Sequence, residues 1–181
     1  LQKAGQWLLS KEVRHYGDWA LKCKVDEPSG WYFQYANEFY PDTDDSAAVL
    51  MALQRVSLPE RMHKEKAVLR GLQWLLAMQC DDGGWGAFDR NNNKAILNHI
   101  PFADFNALLD PSTSDVTGRC LDFLGRIGFS KSSHHIQKAI DYLQKEQEKD
   151  GSWFGRWGAN YIYGTWSVLS GLSAAGEDMN K

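Results

Sequence analysis

Three glycine turns, each closed by a tryptophan, constrain the fold of this chain more than any other feature. Gly17-Asp18-Trp19, Gly83-Gly84-Trp85 and Gly151-Ser152-Trp153 are 66 and 68 residues apart, from position 19 to 85 and from 85 to 153. Each follows a helix-like segment with an aromatic eleven or twelve positions upstream of the closing tryptophan: Trp7, Trp74 and Tyr142. Gln79 and Gln147 precede the second and third turns, while Glu12 takes that place in the first, with one extra residue before the turn. The glycines permit positive φ, and an amide such as Gln79 or Gln147 can bond the exposed groups of the helix end and turn. The indoles of Trp19, Trp85 and Trp153 are predicted to be structural packing anchors.

Apolar residues at helical spacing predict helices over 1–9, 47–56, 64–78, 115–127, 133–146 and 167–175. No stretch of alternating β-branched residues supports a sheet. Helix pairs repeated between long loops imply an all-α toroid or solenoid. The loops over 79–113 and 149–164 exceed the length of a simple connection, which marks them as functional candidates.

At 181 residues the chain is long enough for one domain with a real core. Its net charge is only −3 with no basic stripe, which argues against a nucleic-acid partner. No apolar run reaches the length of a membrane span, and no signal-peptide pattern is present. Cys23, Cys80 and Cys120 are odd in number and far apart, fitting buried thiols of a reduced compartment better than a disulfide framework. Because the chain opens at Leu1 inside a helical pattern and stops at Lys181 soon after another, it reads as a piece of a longer protein.

Several chemistries lack their residues. There is no GxGxxG, Walker loop or Gly-x-Ser-x-Gly, and no His/Cys spacing of a zinc site. Asp42-Thr43-Asp44-Asp45 begins like a calcium loop, but Ala47 and Leu53 stand where such a loop needs Gly and Glu. No Asp-Asp-x-x-Asp run is present to hold magnesium on a diphosphate.

What remains is the stretch Tyr40-Pro41-Asp42-Thr43-Asp44-Asp45-Ser46-Ala47, with three carboxylates just before a helix. Its bland reading is a helix start capped by Asp42 with a negative first turn. Its chemical reading is an acid: neighbouring carboxyls resist ionising together, so one can remain protonated near pH 7. The helix N-terminus opposes this, and burial or hydrogen bonding must decide the contest. Aromatics crowd the loops, from Trp31, Tyr32, Phe33 and Tyr40 to Phe88, Trp157, Tyr163 and Trp166. Their faces can stabilise cations without attacking them.

Taken together, Asp-x-Asp-Asp ahead of a helix and Gln-x-x-x-Gly-x-Trp turns resemble the class II triterpene cyclases, in particular their squalene–hopene branch. The likeness runs through Tyr40–Ala47, Gly83–Asp89, Asn98–Phe105, Ser114–Thr117 and Gly151–Gly158. It implies an α/α toroid of the α6/α6 type, incomplete here, with all of 1–181 in one catalytic domain and a second toroid domain outside the chain. The activity it implies is polycyclisation of squalene to hopene or hopanol by protonation of an alkene. The substrate would otherwise be another linear polyprene of C35 tetraprenyl-curcumene type. No metal or organic cofactor is implied. Asp44 would be the general acid, with Asp42 and Asp45 as its companions, and Asp115 and Tyr163 as support for its hydrogen bonds. Phe33, Phe88, Phe102, Phe105 and Trp157 would line the substrate and cation cavity, Phe88 standing where the family often has tyrosine. The family also implies monotopic attachment to the cytoplasmic face of a bacterial membrane through parts outside this chain, and a homodimer. A non-catalytic alternative is a prenyltransferase-like α/α module.

The sequence departs from the pattern at Arg119, one helical turn after Asp115. The best-known members carry there a histidine that hydrogen-bonds the acid. A guanidinium stays charged and only donates, so beside Asp44 it would depress the acid's pKa. Arg119 is therefore expected to pair mainly with Asp42, Asp45 or Asp115.

Overall fold

The computed structural model describes residues 1–34, 36–94 and 109–179. Among these are six α-helices and no strand: α1 (Gln2–Ser10), α2 (Thr43–Arg55), α3 (Arg61–Ala77), α4 (Ser114–Arg126), α5 (His134–Lys145) and α6 (Asn160–Ala174). A short 3-10 turn spans Asp18–Leu21. α4 lies between α2 and α6, and these three form a continuous inner layer; α1 and α3 pack on α2, and α5 packs on α4, as an outer layer. This double-layered arc is the all-α toroid architecture that the repeat predicts. The core between the layers holds Leu50, Leu53, Trp74, Leu75, Trp85, Leu121, Phe123, Ile136, Ile140 and Leu143.

The helix-ending turn is built the same way after α3 and after α5. After α3, Gln79 Nε2 donates to Gly83 O at 2.8 Å and Cys80 N donates to Gly84 O at 2.9 Å. The Trp85 indole donates to Leu75 O at 2.8 Å, and its backbone N–H to Thr117 Oγ1 at 3.0 Å. After α5 the same four bonds recur: Gln147 to Gly151 O, Glu148 N to Ser152 O, Trp153 Nε1 to Leu143 O and Trp153 N to Thr165 Oγ1. Each turn thus ties an outer helix end to the first turns of the next inner helix.

The first copy closes on a different tryptophan from the one its spacing predicts. Val13 N donates to Gly30 O at 2.9 Å, Trp31 Nε1 to Leu8 O at 2.7 Å, and Trp31 N to Ser46 Oγ at 2.7 Å. Trp31 therefore occupies the place of Trp85 and Trp153. Glu12 still stands where the others have glutamine, but as an acceptor it takes Ser29 Oγ–H at 2.8 Å. The residues between Glu12 and Ser29 are an insertion, which breaks the regular period. Trp19 sits within that insertion, buried edge-to-face on Trp74 at 6.0 Å, and its indole Nε1 has no hydrogen-bond partner among the described residues. It remains a packing residue, as expected, but not the turn-closing one.

The inner helices run in the same direction, and α4 and α6 meet almost backbone to backbone. A Cβ placed on Gly118 would stand 2.6 Å from the Ser167 carbonyl carbon, so only glycine allows this approach. Ser167 Oγ donates to Asp115 O at 2.7 Å across the same seam. α6 begins at Asn160, well before the predicted start at 167, and shortens the loop expected to reach 164. Gly164, which reads as a breaker in sequence, instead lets the helix lie against the Trp153 carbonyl and the Gly155 amide. No helix among the described residues is long and apolar enough to cross a membrane.

Candidate active site

Parallel inner helices bring their N-terminal turns to one rim, where the predicted acid residues assemble. Asp42 caps α2, its Oδ1 accepting the Asp45 N–H at 3.0 Å. Thr43 fixes the same helix start to the following loop, Oγ1 donating to Gly86 O at 2.6 Å and N to Ala87 O at 2.8 Å. Asp44 comes next, and its carboxyl faces α4 and α6. Arg119 Nε donates to its Oδ1 at 3.0 Å and Tyr163 OH to its Oδ2 at 3.2 Å; a second Arg119 nitrogen, Nη2, donates to Tyr163 OH at 3.1 Å. Asp44, Arg119 and Tyr163 thus close a three-membered ring of hydrogen bonds.

This placement corrects the expected pairing of Arg119. The Asp42 carboxyl is engaged by its own helix start. Asp115 is fully committed to backbone, Oδ1 accepting Val116 N–H at 3.0 Å and Oδ2 accepting Trp157 N–H at 2.8 Å. Asp44 is the carboxylate left facing the guanidinium, and it forms the ion pair.

Burial decides the contest between helix N-terminus and crowding. It pushes the Asp42 carboxyl up to about 7, helped by the charges of Asp45 and Asp44 and opposed by backbone N–H donors. Asp44 is also raised, by burial first, with Arg119 and Tyr163 pulling it down and Asp115 adding slightly. Asp45 is raised by burial and by Asp44, and its Oδ2 is buried without a hydrogen-bond partner among the described residues. Three carboxyls inclined to hold protons, served by one cation, make a site able to keep an acid protonated near neutrality.

The aromatics form an adjoining wall. Phe33, Tyr40, Phe88 and Trp157 line a hollow of about 400 Å³, with Phe88 and Trp157 edge-to-face at 6.1 Å. Phe33 also borders a smaller hollow of about 180 Å³ with Trp7, Trp31, Tyr32 and Asp45. Phe33 and Trp157 are 76% and 51% exposed, so they are surfaces of the cavity and not core. Asp44 lines neither hollow, while its chain neighbour Asp45 lines the smaller one. Phe102 and Phe105 lie outside the described residues. Among those residues no group of three or more His, Cys, Asp or Glu side chains is arranged to hold a metal.

Sequence reasoning missed Asp110. This buried carboxylate accepts three successive backbone N–H groups, from Ala87 at 3.0 Å, Phe88 at 2.6 Å and Asp89 at 2.7 Å. It holds the Phe88 loop as Asp115 holds Trp157. An aspartate before proline in a long loop carries no periodic signal, and only the chain's return past Gly86 reveals its use.

Residues 1–181 match the model of the squalene-hopene cyclase C-terminal domain, and the chain belongs to that family. It is 51% identical over 177 residues to squalene-hopene cyclase of Schizosaccharomyces japonicus, covering 97% of this chain and 26% of that protein. It is 46% identical over 176 residues to squalene--hopene cyclase of Alicyclobacillus acidocaldarius, covering 97% and 28%. Sporulenol synthase of Bacillus subtilis is 44% identical over 178 residues, covering 97% and 27%. The chain therefore spans about a quarter of the length of the curated relatives it matches, and these are not confined to bacteria.

Proposed function

We propose that this chain is the acid-bearing part of a class II triterpene cyclase that converts squalene to a hopene-type product. The observation that carries this reading is the Asp44 carboxyl, held by Tyr163 and Arg119 at a helix start whose next residue, Asp45, borders an aromatic-lined hollow. Burial favours the protonated form of Asp44, against the pull of Arg119 and Tyr163, and in that form it gives its proton to the terminal C=C of the folded polyene. A C–H bond forms, and the adjacent carbon becomes a tertiary cation. The next double bond attacks that carbon, and each closure passes the charge onward until a proton is lost or water adds. Phe33, Phe88 and Trp157 offer π faces to the passing cation. Arg119 Nε–H and Tyr163 O–H already point at the oxygens on which negative charge develops, and preorganised donors of this kind lower the barrier to proton transfer. Arg119 therefore makes Asp44 a stronger acid, while burial acts in the opposite direction and favours its protonated form.

Asp42 and Asp45 act as companions that limit ionisation of the cluster. No metal or organic cofactor takes part. The remainder of the protein supplies the second toroid domain, the monotopic membrane attachment and a homodimer contact, and 1–181 alone does not turn over. Depending on whether a proton is lost or water adds, the reaction is an isomerase or a hydro-lyase one.

The test is the full-length protein incubated with squalene and with a C35 polyprene, followed by product analysis. Asp44→Asn is expected to reduce cyclisation about a thousandfold, the scale of a lost general acid. Cyclisation undiminished in this variant would overturn the assignment.

A further inference from the structure

Trp166 has no part in the reaction described above, and its position is unusual for a tryptophan. It lies one turn after Tyr163 on the same face of α6 and is 51% exposed, so it is not an ordinary core residue. The Arg119 guanidinium lies over its ring, with Arg119 Cζ 5.0 Å from the ring centroid. The Tyr163 ring leans on it at 5.8 Å, tilted by 45°. A guanidinium hydrates weakly over its faces and strongly at its edges, so an indole face can cover it and leave its in-plane N–H groups free to bond. Here those N–H groups reach Asp44 and Tyr163. Gly118, beside Arg119 in α4, allows the close approach of α6 that the contact with Trp166 needs.

We infer that Trp166 is a positioning residue of the acid site: it clamps the Arg119 guanidinium so that Nε and Nη2 stay aimed at Asp44 and Tyr163. It touches neither Asp44 nor a reacting carbon by this reading, and acts through the arginine. The inference rests on Asp44 being the proton donor. Releasing the guanidinium removes the cation that holds the Asp44 pKa down. Asp44 then becomes the weaker acid, which slows proton transfer, and it stays protonated to higher pH. The charged groups facing it are Arg119, Asp45 and Asp115, with Asp42 on the preceding residue pair.

The experiment uses the full-length protein with squalene and measures kcat, KM and the pH profile of kcat/KM. Trp166→Ala is expected to lower kcat about fivefold, the size of one partly shielded cation–π contact, with KM unchanged. Its alkaline limb should move to higher pH. Trp166→Phe, which keeps a π face, should recover most of both effects. In an Arg119→Met background Trp166→Ala should add nothing further. A Trp166→Ala profile identical to wild type, or the same loss with Arg119 already removed, would overturn the inference. A crystal structure of Trp166→Ala gives a readout independent of turnover: the guanidinium should have left Asp44, and its retention there also counts against the clamp. If Asp44→Asn remains active, the acid assignment has failed, and the crystal structure still decides whether Trp166 holds Arg119.

Discussion

Two regions of this molecule each bury carboxylates, and they treat them in opposite ways. In the outer turn after α1, the Glu12 side chain is 3% exposed and its carboxylate is compensated. Arg70 of α3 grips both its oxygens, Nε to Oε1 at 2.9 Å and Nη2 to Oε2 at 2.6 Å, and Ser29 adds a third bond. At the inner rim, Asp42, Asp44 and Asp45 crowd one helix start, and the Arg119 guanidinium pairs with Asp44. The outer turns are where the chain satisfies its polar groups; the inner rim is where it leaves them in competition. Competition of that kind is tolerated at functional sites and supported by order elsewhere.

The contrast can be broken at its strongest point first. Glu12→Ala leaves the Arg70 charge, 14% exposed, without its partner, and is expected to cost about 3 kcal/mol of stability, as for a broken buried ion pair. Denaturant unfolding of the full-length protein measures it, and a loss below 1 kcal/mol would make the outer pair ornamental.

Asp42→Asn should do the reverse. A carboxyl raised from 3.8 to about 7 in the native state holds its proton there after the unfolded chain has released it. Its contribution is therefore complete below pH 4 and is lost as pH rises through about 7. From pH 5 to pH 8 the wild type should lose ~2 kcal/mol on this account. Asparagine removes that slope and should be the more stable at pH 8. An unchanged slope in Asp42→Asn would mean that the spare proton sits on another carboxyl.

The assignment of Trp31 to the first turn predicts a smaller difference. Trp31→Phe and Trp19→Phe delete the same atoms from buried sites, but only the first breaks a hydrogen bond, to Leu8 O. Trp31→Phe should therefore cost about 1 kcal/mol more. Equal losses would return Trp19 to candidacy. The smallest effect is expected at Gln147, whose amide is exposed: Gln147→Ala should cost about 0.5 kcal/mol. Gln79, buried and bonded to Gly83, to the His135 carbonyl and to the His135 ring, should cost several times more when changed to Ala.

Much of this was open to a reader of the sequence. The helices between the turns, the Asp42 cap, the glutamine bonds to the turn carbonyls, and the burial of Trp85 and Trp153 all follow from interactions within a few residues. So does the presence of an acid cluster at a helix start. These features were legible because periodicity, capping and turn chemistry act locally.

Other features were settled only by the packed chain. An insertion between Glu12 and Ser29 preserved a Gly-x-Trp at the expected spacing in Trp19, while the bond to the helix end went to Trp31. The start of α6 was hidden because Gly164 reads as a breaker until its contact with Trp153 is seen. Above all, the sequence placed Arg119 near four carboxylates and could not say which one it reaches. The α4–α6 approach over Gly118 made that choice. It brought Tyr163 and Trp166 onto the guanidinium, while Asp42 and Asp115 spent their oxygens on backbone amides. Side-chain partners across a helix seam depend on interaxial distance, which no single helix encodes.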